Sequence, residues 1–123
     1  MKKKARQSLE EILASVSDVL YPEKLGAARV TLDSVDCMGD TPLHVLARRP
    51  NLYGARLLLE AGADPNAVGD MGETPLHVAV SAESEEMVQL LLENGANSEI
   101  ISEFGDTPKE RAKARSEKLA SLF

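Results

Sequence analysis

The 123-residue sequence is short of several residue types, and each shortage removes a class of protein. Its one cysteine excludes an internal disulfide framework and suits a reducing compartment. No apolar run approaches the roughly 20 residues of a membrane-spanning helix. Three lysines open the chain as in a signal peptide, but Glu10, Glu11 and Asp18 interrupt any apolar core that would follow. These features predict a soluble cytoplasmic protein.

Positive charge is also scarce, and it is unevenly placed. The formal net charge is −6, which argues against nucleic-acid binding, because such binding needs a basic face. Lysine and arginine are absent from Leu57 to Pro108. The acids in that stretch are Glu60, Asp64, Asp70, Glu73, Glu83, Glu85, Glu86, Glu93, Glu99, Glu103 and Asp106. An acidic run is often only a solvated face, but this segregation favours a basic protein partner drawn in by electrostatic steering.

Patterns that carry chemistry are missing. The sequence has no phosphate-cradling glycine loop, zinc signature or nucleophile elbow. Cys37 has no histidine at a recognisable spacing and no basic neighbour to lower its pKa, so an exposed, unpaired thiol is favoured over a redox residue. The sequence therefore predicts no catalytic residue, no cofactor and no metal, and a protein that is not an enzyme.

A repeat of about 33 residues is the main positive signal. Thr41-Pro42-Leu43-His44, Thr74-Pro75-Leu76-His77 and Thr107-Pro108 fall in register. Leu57-Leu58-Leu59-Glu60 matches Leu90-Leu91-Leu92-Glu93, and Gly62-Ala63 matches Gly95-Ala96. Within each unit a threonine followed by proline predicts the start of one short helix. In the second unit, Ser84 predicts the start of another and Gly95 its end.

These residues resemble the ankyrin repeat family over roughly Asp33 to Ala112. The resemblance implies an all-α solenoid of stacked helix-turn-helix units, with projecting β-turn fingers and a capping helix at each end. We expect one domain over residues 1–123. Its parts are an N-terminal cap (1–32), repeat one (33–65), repeat two (66–98) and a C-terminal cap repeat (99–123).

His44 and His77 occupy one position in successive repeats. Packed helices lie about 10 Å apart, which is too far for two imidazoles to share a metal ion bound at roughly 2 Å. In ankyrin proteins this histidine is a structural residue that hydrogen-bonds the turn region, and we expect the same here.

Both ends of the chain show the pattern of caps. Ser8 and Glu11 form a plausible capping box for an amphipathic N-terminal helix. A cap over repeat one is favoured over a membrane-surface helix, because the polar face is mixed in sign. At the other end, Lys109, Arg111, Lys113, Arg115 and Lys118 replace apolar positions, which predicts a solvated outer face. The last residues could fold back or fray.

Repeat one departs from the family pattern. Pro50 stands where a glycine normally turns the chain, and Gly54 interrupts the second helix, where it could admit another backbone. Asn51 is placed to cap that helix.

Residues at the predicted finger tips form columns along the stack. Val35, Val68 and Ile101 make one column, which we expect to pack between the fingers. Met38, Met71 and Phe104 make another, which we expect to be exposed, as at protein interfaces. Acids edge these columns, and two arginines follow the first helix of repeat one. The predicted partner-binding residues are Met38, Asp40, Arg48, Arg49, Asp70, Met71, Glu73, Ser81, Glu103, Phe104 and Asp106.

Two kinds of function remain open. Short, acidic, stand-alone ankyrin proteins look like the immunity or antidote proteins that neutralise bacterial toxins, many of which are basic. The alternative is a regulatory adaptor or scaffold subunit. Both imply a protein partner, and both are compatible with a chain that is a monomer when free.

Overall fold

The computed structural model describes residues 11–13, 35, 39–49 and 51–123. Over these residues the chain is all-α, as predicted. The helices are α1 (Pro42–Arg48), α2 (Leu52–Glu60), α3 (Pro75–Ser81), α4 (Glu85–Glu93), α5 (Pro108–Arg115) and α6 (Glu117–Ala120). A 3-10 turn, Asp70–Gly72, precedes α3, and residues 11–13 are helical. No helix in these ranges is long and apolar enough to cross a membrane.

The helices form two layers. The first helix of each unit packs on the next, so that α1, α3 and α5 make an inner row. The second helices α2, α4 and α6 make an outer row, and each pairs with its own inner helix. Each of these six helices has nine residues or fewer, too short to be stable alone in water, so they depend on this mutual burial.

Threonines set where the inner helices begin. Thr41, Thr74 and Thr107 have extended backbone, and each side chain accepts a hydrogen bond from the amide three residues on. Proline follows each threonine, where a missing N–H costs nothing. The predicted capping box of Thr107 with Glu110 is confirmed. In the other two repeats the histidine of the motif takes the place of that glutamate.

The outer helices α2 and α4 also begin as predicted. Asn51 accepts a hydrogen bond from the Gly54 amide at 2.9 Å, and the Ser84 hydroxyl accepts one from Met87. Gly54 admits side chains rather than another backbone, because a methyl group there would lie about 3 Å from the Asn51 amide and from Ile12 Cγ2. Ile12 therefore packs directly on α2.

One hydrophobic core runs through the stack. It includes Ile12 and Leu13 at one end and Ala112 and Leu119 at the other. Leu122 and Phe123 are partly buried against the same core, so the last residues fold back on it. The rest of the predicted N-terminal cap, with Cys37 and Met38, lies outside the described residues.

Candidate protein-binding surface

Two projecting loops organise the candidate surface. Finger two comprises residues 68–73 and closes through a hydrogen bond from the Gly69 amide to the Glu73 carbonyl at 2.8 Å. Finger three comprises residues 101–106 and closes in the same way, from Ser102 to Asp106, at 2.9 Å. The Glu103 amide donates to the Met71 carbonyl at 2.9 Å. Neighbouring fingers are therefore joined to each other as well as to their own helices.

The two buried histidines hold the fingers onto the helices. The Thr41 amide donates to His44 Nδ1 at 3.1 Å, so the ring proton lies on Nε2, which donates to the Glu73 carbonyl at 2.8 Å. His77 repeats this arrangement with Thr74 and with the Asp106 carbonyl at 3.1 Å. Each histidine thus links its own repeat to the next finger, which confirms the structural interpretation of this motif. Burial lowers the pKa of His77, partly offset by its hydrogen bond to Asp106.

The valine column is exposed, contrary to the prediction that it packs between fingers. Val68 is 57% exposed, Ile101 66%, and Val35 is exposed as well. The reason is the alternation of extended backbone, in which successive residues point to opposite sides. The inward positions belong to Gly69 and Ser102. A side chain on Gly69 would collide with Asp40 and His44, and Ser102 is buried.

The second column is exposed as predicted at both of its described members. Met71 is 42% exposed and Phe104 63%. Met71 has φ +58°, a left-handed conformation that costs a non-glycine residue about 1–2 kcal/mol. Among the described residues, the exposed large apolar side chains are Val68 and Met71 on finger two, Ile101 and Phe104 on finger three, and Val35, which stands in register with Val68.

Arg111 lies at the centre of the polar contacts between fingers two and three. Its guanidinium makes a bidentate pair with Asp106 at 2.8 and 2.9 Å. The remaining nitrogen donates to Glu73 at 2.8 Å and to the Ser81 hydroxyl at 3.0 Å. Its Cζ lies 5.8 Å from the centre of the Phe104 ring, a cation–π contact.

This network contradicts the expectation that Arg111 lies on a solvated outer face. Its side chain is only 10% exposed. The hydrogen bonds from Arg111 hold the pKa of Asp106 at about 2, and those carboxylates raise the pKa of Arg111. Glu73 and Asp106 are therefore neutralised within the molecule. Asp70 and Glu103 make no side-chain hydrogen bond or ion pair with any described residue, and they remain as the open acids of the fingers.

Asp40 contacts both finger two and Arg48. It is buried, one oxygen accepts the Asp70 amide at 2.9 Å, and the other pairs with Arg48 at 3.1 Å. A buried carboxylate of this kind fixes finger two and offers no charge to a partner. Arg48 is half exposed, and Arg49 is exposed at the end of α1.

An open groove of about 620 Å³ lies between finger three and the inner helices. It brings together four of the predicted binding residues, Glu73, Ser81, Phe104 and Asp106, with four that were not predicted to bind, Glu110, Arg111, Ala114 and Arg115. One signal could have found Arg111. It stands in register with Val45 and Val78, both buried, so a charge there needs buried partners. Asp70, Met71 and Glu103 do not line the groove.

Threonine caps, histidine links and two-layer stacking recur from repeat to repeat. A family model described as ankyrin repeats (3 copies) matches residues 11–108. The chain belongs to the ankyrin repeat family. A comparison with curated proteins gave no match. The ankyrin repeat is a protein-binding, non-catalytic fold, so this chain is a protein–protein interaction module. The match begins at residue 11, within the segment predicted as the N-terminal cap.

Proposed function

We propose that this ankyrin protein acts by occupying the surface of a basic partner protein, as an immunity- or antidote-type inhibitor of a toxin would. The observation that carries the proposal is the position of the exposed apolar side chains. Of the five in the described residues, four lie on fingers two and three and Val35 stands in register with Val68, and exposed apolar side chains gathered in this way are a signature of a protein interface.

Charge supports a basic partner. The carboxylates of Asp70 and Glu103 flank Met71 and Phe104 in the sequence, and neither is neutralised by another described side chain. The stretch from Leu57 to Pro108 has acids but no basic residue. Such a field speeds the encounter with a positively charged protein. The proposed function is binding alone and includes no catalytic step.

Met71 is the residue to test. Changing Met71 to lysine keeps a non-glycine side chain in the same left-handed conformation, so the fold should be preserved. We expect the change to weaken partner binding by at least about 2 kcal/mol, roughly thirtyfold in Kd, the scale of a hot spot. The measurement is capture of the partner from the native cell, followed by titration with the purified partner.

Glu86→Lys is the matched control, because Glu86 is an exposed residue on the outer helix α4. If Glu86→Lys costs more affinity than Met71→Lys while both variants stay folded, the fingers are not the binding surface. The same capture distinguishes the two functions. One basic toxin supports the inhibitor, and several unrelated partners support the adaptor or scaffold.

A further inference from the structure

Phe104 is held by contacts with both its backbone and its ring. Its amide donates to the Ser102 hydroxyl oxygen at 3.1 Å, and that hydroxyl donates to Asp106 Oδ1 at 2.5 Å. The Asp106 carboxylate in turn accepts the bidentate pair of hydrogen bonds from Arg111. The centre of the Phe104 ring lies 5.8 Å from Arg111 Cζ. One guanidinium therefore supports both the backbone and the ring of a side chain that is 63% exposed.

The Arg111 guanidinium is itself held by the preceding repeat. It donates to Glu73 of finger two at 2.8 Å and to the Ser81 hydroxyl at the end of α3 at 3.0 Å. Its side chain is only 10% exposed. Charge-assisted hydrogen bonds of this kind have a fixed geometry, most of all where the pair is bidentate. The position of Phe104 thus depends on a group that is fixed before any partner arrives.

An exposed side chain that is ordered before binding loses less freedom when a partner covers it, and this raises affinity. We propose that Arg111 is a positioning residue of the binding surface, which strengthens partner binding by holding Phe104 in place. It acts through that ring and not through its own charge, because the guanidinium is buried and paired with two carboxylates. This proposal rests on the proposed function and identifies what positions the exposed aromatic ring of finger three.

Charge and positioning predict opposite effects when Arg111 is removed. Arg111→Met makes an acidic chain more negative by one charge. Electrostatic steering alone would then speed association with a basic partner and tighten binding. Loss of positioning should instead weaken binding, chiefly through faster dissociation, because the loosened ring must be ordered in the complex. The sign of the change in Kd therefore decides between the two effects.

The first measurement uses the free protein. Amide relaxation measured by NMR gives an order parameter of about 0.85 for rigid backbone and below about 0.6 for flexible backbone. Arg111→Met and Ser102→Ala should each lower the order parameter of the Phe104 amide towards the flexible range. Ser102→Ala interrupts the hydrogen bonds to Phe104 and changes no charge, so it tests the proposal even if Arg111→Met fails to fold. An unchanged order parameter in either folded variant would overturn the proposal.

The second measurement is the affinity for the purified partner that the wild-type chain captures. Arg111→Met should raise Kd at least about fivefold. Arg111→Lys should not restore wild-type affinity, because an ammonium cannot make the bidentate pair. Arg115→Met is the matched control, since Arg115 lies on the same helix, lines the same groove and removes the same charge. It should leave the dissociation rate unchanged. Tighter binding by Arg111→Met, full rescue by lysine, or equally fast dissociation in Arg115→Met would overturn the proposal.

A double-mutant cycle shows whether Arg111 acts through Phe104. Once Phe104→Ala has removed the ring, adding Arg111→Met should raise Kd by less than about twofold. An equal loss of affinity in both backgrounds would mean that Arg111 acts elsewhere, and would overturn the proposal.

The same variants separate this proposal from the proposed function. If Phe104→Ala and Met71→Lys weaken binding but Arg111→Met and Ser102→Ala do not, the positioning role is wrong and the proposed function stands. If capture is unaffected by Phe104→Ala and Met71→Lys, or if the wild-type chain captures no partner, both fail.

Discussion

Backbone strain at single residues is visible at two places in the described chain. Met71 and Glu83 are the non-glycine residues there with positive φ, at +58° and +56°. Glu83 lies in the tight turn between α3 and α4, at the position where the family favours glycine. Its side chain is exposed and approaches Arg115 only at 3.8 Å, an ion pair of little energetic value. Nothing in its contacts therefore offsets the strain.

Glu83→Gly should raise the free energy of unfolding by up to about 1 kcal/mol, because glycine adopts this conformation without the steric cost. Part of the gain is lost to the greater freedom of glycine in the unfolded chain. Urea denaturation measures the change. Glu83→Ala serves as the control, since it removes the carboxylate and keeps the strain, and it should leave stability nearly unchanged. A similar gain in stability from Glu83→Ala would mean that loss of the carboxylate, and not relief of strain, stabilises the fold.

His77 makes stability depend on pH. Burial lowers its pKa below the ordinary 6.5, so the folded state favours the neutral ring. A proton on Nδ1 would face the Thr74 amide, which now donates to that nitrogen. The stabilisation is therefore complete above pH 6.5 and is lost as the pH falls through the lowered pKa. Denaturation curves between pH 8 and 5 should show this decline. His77→Gln should reduce stability by about 1–3 kcal/mol at pH 8 and flatten the decline. If stability declines with falling pH as steeply in His77→Gln as in the wild type, another titrating group causes the decline.

At the scale of elements, Arg111 joins α5 to two fingers and to α3. Arg111→Met would leave the Glu73 and Asp106 carboxylates partly buried without their counter-ion, and should cost about 2 kcal/mol of stability at neutral pH. Arg111→Lys should recover only part of this, because an ammonium cannot make the bidentate pair. Thermal unfolding gives the comparison.

Arg115→Met is the matched control, because Arg115 lies on the same helix and its pair with Glu83 is exposed. Its cost should stay below about 0.5 kcal/mol. Equal losses of stability in Arg111→Met and Arg115→Met would mean that the Arg111 contacts stabilise the fold no more than an exposed ion pair does. The stabilisation from Asp106 should persist above pH 3.8 and be lost as the pH falls through about 2.

The elements themselves could be predicted because their signals are local. Each inner helix begins at a threonine that is followed by proline and that accepts a hydrogen bond from the amide three residues later. The same reasoning places the caps at Asn51 and Ser84. The surface could be predicted only in part. Exposure of Met71 and Phe104 follows from a turn position. The repeat register marks Arg111 as an inward position, but its partners Glu73, 38 residues away, and Ser81, 30 residues away, are not encoded by any periodicity in the sequence.

At the scale of the whole molecule, the N-terminal segment should be required for a folded monomer. Ile12 is fully buried and Leu13 nearly so, within the core shared with repeat one. Deleting residues 1–32 would expose the apolar flank of α1 and α2, and an uncapped repeat aggregates or loses fixed packing. Light scattering and near-ultraviolet circular dichroism test this. A truncated chain that stays monomeric with an unchanged melting temperature would show that the segment is dispensable.

The histidine links also determine how the chain can be lengthened. His44 and His77 each reach a carbonyl in the finger that follows, 29 residues ahead, and those carbonyls belong to equivalent residues. A tandem duplicate of residues 66–98 would carry its own donor and its own acceptor in register. The finger of the inserted copy would accept the hydrogen bond from the histidine of the repeat before it. The histidine of the inserted copy would donate the same bond to the finger of the repeat after it. The molecule can therefore grow by whole units, each adding its own stability and the interface with its neighbour, while the Arg111 network stays at the terminal unit.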